Sequence, residues 1–211
     1  MKFILFFFMA LFSWHCHYLH QIPDLGHREG NTYYHNYFGF QLIIPSEWHF
    51  QSEKIADYLK NSKLNPQQLK TFEKWLNPSQ QEIITLASIF AKKAGPPASF
   101  NASFLITAEK THWFATTINR KNYLEKVKSL LIKFEPPYQF DKSISMTKID
   151  GVMFDVLEGK SMLYTKPIYQ IHFTTIRREY FLNLIAIYQT SEERKKIEEI
   201  IISMKFNIGL E

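Results

Sequence analysis

By type, the residues in this chain best suited to chemistry are its histidines and its single cysteine, and they gather near the start. His15, His17, His20, His27 and His35 are five of the eight histidines. His15, Cys16, His17 and His20 together offer soft and borderline donors of the kind that zinc or copper takes. The surrounding stretch, 17–31, has Pro23, Gly26 and Gly30 and no apolar period, so it reads as a flexible tether whose donors are not held in place. Cys16 stands alone, which excludes an internal disulfide framework, and it precedes the folded part without a fixed base beside it. Further along, His172 alternates with an aromatic strand face, where it is a base, a ligand or a hydrogen-bonded structural residue. His112 and Trp113 fall beyond a strand end in a loop, as a partner contact or a lid. Asp155 and Glu158 point to opposite faces of a strand and make no carboxylate pair. There is no Gly-x-Ser-x-Gly elbow, no glycine-rich phosphate loop and no His-Glu-x-x-His helix. The expected site residues are therefore none catalytic, none cofactor-binding and none metal-ligating.

The elements that would position such residues are clearer. Residues 167–206 form one packing unit of two strands and a closing helix. Tyr169, Ile171 and Phe173 alternate with Gln170, His172 and Thr174. In the next strand Tyr180, Leu182, Leu184 and Ala186 alternate with Phe181, Asn183, Ile185 and Ile187. Apolar on both faces, this second strand belongs inside a sheet covered on both sides. Thr190 and Glu193 have capping-box spacing, and Ile197, Ile200, Ile201 and Met204 form one helical stripe, with Ile200 and Ile201 both expected to be buried.

Earlier segments supply the rest of the sheet. Phe38, Phe40, Leu42 and Ile44 alternate in a strand ending at Pro45. Helices are expected at 53–61 and 65–76, the latter opened by Asn65 and Pro66. Residues 80–92 suit either a helix or a strand, with the strand favoured, and Ala102, Phe104, Ile106 and Ala108 supply its partner. A helix over 121–134 has Asn122 and Glu125 at cap spacing and Tyr123, Val127, Leu130, Leu131 and Phe134 as its stripe. Ile144, Met146 and Lys148 then lead into Asp150-Gly151, a type I′ turn dipeptide, from which Val152, Phe154 and Val156 return. Residues 159–166 connect to the last hairpin. No β-α-β alternation and no repeat is visible, so the expected class is α+β, a largely antiparallel sheet covered by helices.

Length and composition agree with one domain. The chain has 211 residues, 45% of them hydrophobic, and a net charge of +5. The charges alternate in sign, and Lys92-Lys93, Arg120-Lys121 and Arg177-Arg178 are isolated pairs, which argues against nucleic acid. Lys2 followed by the apolar run 3–12 has the form of an export signal, too short for the roughly 20 residues that span a bilayer. The expected organisation is a leader over 1–16, the histidine-rich tether over 17–32 and one domain over 33–211. Membrane association through the leader stays open.

The stretch 33–48 (Tyr-Tyr-His-Asn-Tyr-Phe-Gly-Phe-Gln-Leu-Ile-Ile-Pro-Ser-Glu-Trp), Phe100-Asn101-Ala102-Ser103 with Ala108-Glu109, and the ending Ile200-Ile201-Ile202-Ser203-Met204-Lys205-Phe206 resemble exported bacterial proteins of the PsbP-like or DcrB-like fold. The resemblance covers most of the chain and rests on element order and structural residues. It implies an accessory or binding scaffold outside the cytoplasm, periplasmic or secreted, with no catalytic motif to carry over. The expected partner is another envelope protein or a small ligand, with no cofactor. An aromatic content of 16% suits a contact surface. The alternative is an envelope hydrolase or metal-dependent enzyme with dispersed residues, which requires His112, His172 and an acid to converge. A metal carrier using the tether is a third option.

Overall fold

The computed structural model describes residues 25–51, 83–93, 100–111, 119–134, 136–163 and 166–207. In chain order its elements are β1 (His27–Glu29), β2 (Thr32–His35), β3 (Phe40–Ile43), β4 (His49–Gln51), β5 (Ile83–Phe90), β6 (Ser103–Lys110), α1 (Arg120–Leu131), β7 (Ser145–Ile149), β8 (Val152–Leu163), β9 (Lys166–Arg177), β10 (Tyr180–Tyr188), α2 (Ser191–Ser203) and β11 (Lys205–Phe206). The strands form a seven-stranded sheet, β4-β5-β6-β10-β9-β8-β7, and a four-stranded one, β1-β2-β3-β11. Their pairings are antiparallel.

β10 lies at the middle of the large sheet, between β6 and β9, as its two apolar faces require. Tyr180, Leu182, Leu184, Ala186 and Tyr188 enter the main core with Phe104, Ile106 and Ala108 of β6 and with Phe38, Phe40, Leu42 and Ile44 around β3. Phe181 faces the other way, into a smaller core with Leu157 and with Tyr123, Leu124, Val127 and Leu131 of α1. The sheet thus has α1 on one face and, on the other, the small sheet with α2, which packs against β3 and β10.

Local chemistry explains the boundaries. Thr190 caps α2 by accepting from the Glu193 amide while the Glu193 carboxylate accepts from the Thr190 amide, the expected capping box. Ile197, Ile200 and Met204 are buried. Ile201 is only half-buried, because the helix lies over β10 and leaves that position at its flank. In α1 the cap is Asn119, whose side chain accepts from the Asn122 amide. Asn122, expected as the cap, is instead the residue that donates, and Leu130 of the expected stripe is exposed. The Asp150-Gly151 turn has positive φ at both residues (44° and 87°), as a type I′ hairpin needs. Asp150 also accepts from the Phe206 amide at 2.8 Å and from Lys205 Nζ at 3.2 Å, tying the turn to β11.

Residues 83–90 are a strand, as favoured, but its period breaks. The register with β6 shifts between Thr85 and Ala87, so Ile84, Ala87 and Ile89 oppose Ala108, Ile106 and Phe104 on the core face. A bulge of this kind inverts the side chains that follow it: of the expected face, Ile84 and Leu86 stay with the main core, while Ser88 and Phe90 give way to Ala87 and Ile89. The expected connection at 159–166 is mostly strand, since β8 runs to Leu163 and pairs with β9 from Asp155 to that end. On its outer edge Lys160 exchanges backbone hydrogen bonds with Gln139, donating at 2.9 Å and accepting at 2.7 Å. Gly159 is required here: a Cβ would lie 2.6 Å from Phe140 Cε1. At the start, β1 places His27–Glu29 in the small sheet, ahead of the expected domain start at 33. The leader, Cys16 and its neighbouring histidines, the helices expected at 53–61 and 65–76, and His112 with Trp113 lie outside the described residues.

Candidate binding cleft

The outer strands of the large sheet are longer than their cover. α2 protects β10, while β7, β8 and β9 extend past it, and a cleft opens between the helix and these strands. Its floor is built from cross-strand rungs. Lys160, Tyr169 and Tyr188 form one, and Glu158, Ile171 and Ala186 the next. The tyrosines stack with centroids 5.4 Å apart and planes 18° from parallel, and the Arg194 guanidinium lies 5.9 Å from the Tyr188 centroid. One wall is the first turns of α2, with Ser191 and Arg194. The other is the segment 139–142, anchored to β8 through the Gln139 bridge.

This end holds about 440 Å³. The remainder, about 390 Å³, continues along α2 over Val156, Ile171 and Phe173 toward Ile201 and Ile202. The two parts share Glu158, Ile171, Tyr188 and Arg194. Ile202 is 77% exposed at its rim.

The charges at the first end are paired with one another. Lys160 Nζ lies 2.6 Å from Asp141, Lys142 Nζ 3.1 Å from Glu158 and Arg194 Nε 2.8 Å from Glu198. The hydrogen bond that Lys160 donates to Asp141 raises the Lys160 pKa, and the one that Arg194 donates to Glu198 raises the Arg194 pKa. Burial raises the Tyr188 hydroxyl, so it stays a neutral donor at physiological pH.

The residues singled out for chemistry sit elsewhere. His172 is buried on the α1 face, opposite Leu157 and Ile185. Gln170 Nε2 donates to its Nε2 at 2.8 Å, and burial lowers its pKa to about 4, so at neutral pH it is an uncharged, hydrogen-bonded ring. Asp155 pairs with Arg120 at 3.3 Å on that same face, whereas Glu158 points into the cleft, so the two carboxylates are separated as expected. Among the described residues no group of three or more metal-ligating side chains comes together.

Under α1 lies a polar relay that strand periodicity did not single out. Thr174 donates to Asn183 Oδ1 (2.7 Å), Asn183 Nδ2 donates to the Tyr123 hydroxyl (2.9 Å), and Tyr123 donates to Glu109 (2.7 Å). Burial raises the Tyr123 pKa well above its usual value. Tyr123 also stacks on Phe181, 4.3 Å between centroids. Its groups are all satisfied by one another, which is the form of a docking contact for the helix. The cleft residues were missed for a different reason: Gln139, Asp141 and Lys142 carry no period of their own and meet β8 only in three dimensions.

The fold and cleft define the class: an α+β protein of the PsbP-like fold with an open cleft beside its last helix. The cyanobacterial PsbP protein CyanoP from Synechocystis is similar over 87% of this chain and 99% of its own, with a TM-score of 0.50 and 8% identity. LpqN, involved in cell envelope biogenesis of Mycobacterium tuberculosis, matches 80% of this chain and 83% of its own at a TM-score of 0.47 and 13% identity. A Bacteroides thetaiotaomicron protein matches 85% of this chain, which spans about half (49%) of its length, at a TM-score of 0.45 and 11% identity. No family model and no curated protein matches the sequence. At these identities the likeness is one of fold.

Proposed function

We propose that this is an exported, non-enzymatic binding or accessory protein of the cell envelope, and that its partner or ligand is held in the cleft between α2 and strands β7, β8 and β9. The observation that carries this reading is the cleft itself: a preformed concavity with an aromatic and apolar floor and fixed polar walls, the usual anatomy of a binding site. The groups best suited to acid–base work, His172 and Asp155, lie buried on the opposite face of the sheet. Export is supported by the charged start and apolar run at 2–12. Among the described residues no helix is long and apolar enough to cross a membrane.

Photo-crosslinking in cells tests the reading. A photoreactive residue at Ile202 or Thr147, on the cleft rim, should give adducts with an envelope component. The same residue at Leu130, exposed on α1, should not. Adducts from Leu130 alone would overturn the assignment of the face. Sequencing the N-terminus of the protein from fractionated cells tests export, which a cytosolic protein retaining Met1 would contradict.

A further inference from the structure

We propose that the end of the cleft around Tyr169 and Tyr188 is a binding subsite for a neutral saccharide, an inference that rests on the cleft being the binding face. The charges offer no net attraction to an ion. Every charged side chain lining this end, Asp141, Lys142, Glu158, Lys160 and Arg194, is held in an ion pair. These pairs are solvent-exposed and individually weak, but each sets a charge of the opposite sign beside the one an ionic ligand would seek.

What remains for a ligand is neutral hydrogen-bonding capacity. The side-chain amides of Gln139 and Gln189 and the hydroxyls of Tyr169 and Tyr188 have no protein partner among the described residues. By contrast, Thr190, Ser191 and Gln170 are already engaged with Glu193, Glu192 and His172. Planar amides and phenol hydroxyls both donate and accept, which matches the vicinal hydroxyls of a sugar. The tyrosine rings and Ile171 supply a flat apolar surface for its C–H face, and the ion pairs add donors and acceptors at its edge.

A peptide is also neutral along its backbone, but here it lacks the strand edge it would need. The outer edge of β8 is closed at Lys160 by Gln139, which takes both backbone hydrogen bonds. Addition of a strand, the usual way to hold an extended peptide by its main chain, is therefore blocked at this end.

The test is an amide-shift NMR titration of the protein as purified from its host with maltotriose, cellotriose and chitotriose, and with a galacturonic acid trimer as the anionic counterpart. The proposal expects at least one neutral trisaccharide to shift the amides of Gln139, Tyr169 and Gln189. Tyr169→Ala and Gln139→Ala should each weaken that binding by about tenfold or more, the loss of one well-placed contact, while Leu130→Ala, on the exposed side of α1, leaves it unchanged. Circular dichroism verifies that the variants are folded, and two separate positions keep the test valid should one fail to fold. Tighter binding of the galacturonic acid trimer, displacement of the sugar by an alanine-serine peptide, or no shift with any neutral sugar would each overturn it. If Ile202 and Thr147 still crosslink to an envelope component when every sugar fails, only the saccharide inference falls. If the rim crosslinks fail too, the cleft assignment falls with it.

Discussion

His172 shows how burial changes what a reactive residue can do. Its pKa is lowered from 6.5 to about 4 by burial, so the unfolded chain binds a proton more readily than the folded one between those values. Stability should therefore fall as pH drops from about 6.5 to about 4, by up to about 3 kcal/mol. His172→Leu should flatten that part of the curve in urea titrations at pH 7, 5.5 and 4.5. Equal slopes for the two proteins would mean that the ring is not held neutral. The depressed carboxyls of Asp150 and Glu47 also lose stabilisation as pH falls, but at and below their ordinary range, so the difference between variants isolates the histidine. Tyr123 makes a second residue-scale case. Tyr123→Phe removes the hydroxyl that joins Asn183 to Glu109 and should destabilise by about 1 to 3 kcal/mol. An unchanged midpoint would mean the relay does not hold α1. The alternation of β9 correctly put His172 with Thr174, and that of β10 put Asn183 with Phe181; the register between the strands brings the two sets to one face. It could not show that α1 would cover that face, since packing of a distant helix leaves no mark on strand period.

At the scale of elements, α2 was the most legible part of the molecule. Its capping box and stripe are local, and local chemistry is what a sequence states directly. Thr190→Ala should cost about 0.5 to 2 kcal/mol, measured as a lower denaturation midpoint. Ile200, fully buried, marks the centre of the buried face, and Ile200→Ala should cost about 2 to 5 kcal/mol. Ile202→Ala should stay within about 0.5 kcal/mol. Equal midpoints for Ile200→Ala and Ile202→Ala would show that the helix is not docked as described. Ile201, expected to be as buried as Ile200, is half-buried because the helix covers β10 and stops short of the outer strands. The break in β5 was hidden for a related reason: a bulge is a relation between two strands, and Thr85 to Ala87 carries no glycine or proline to announce it.

At the scale of the whole molecule, the α+β class, the antiparallel sheet and the likeness to the PsbP-like fold were all legible, because they depend on element order. The cleft was not. It arises from a mismatch in extent: β8 and β9 each run for twelve residues, while α2 and the small sheet cover the inner part. Its outer wall, 139–142, reads as irregular chain until the bridge to Lys160 fixes it in place. The central claim is that binding occurs on this face, and hydrogen exchange tests it across the surface at once. The protein should be compared free and within its native envelope fraction. The account predicts slower exchange at 139–142 and 189–194 on the two walls, with α1 unchanged. Slowing confined to α1, with the walls of the cleft unaffected, would contradict it.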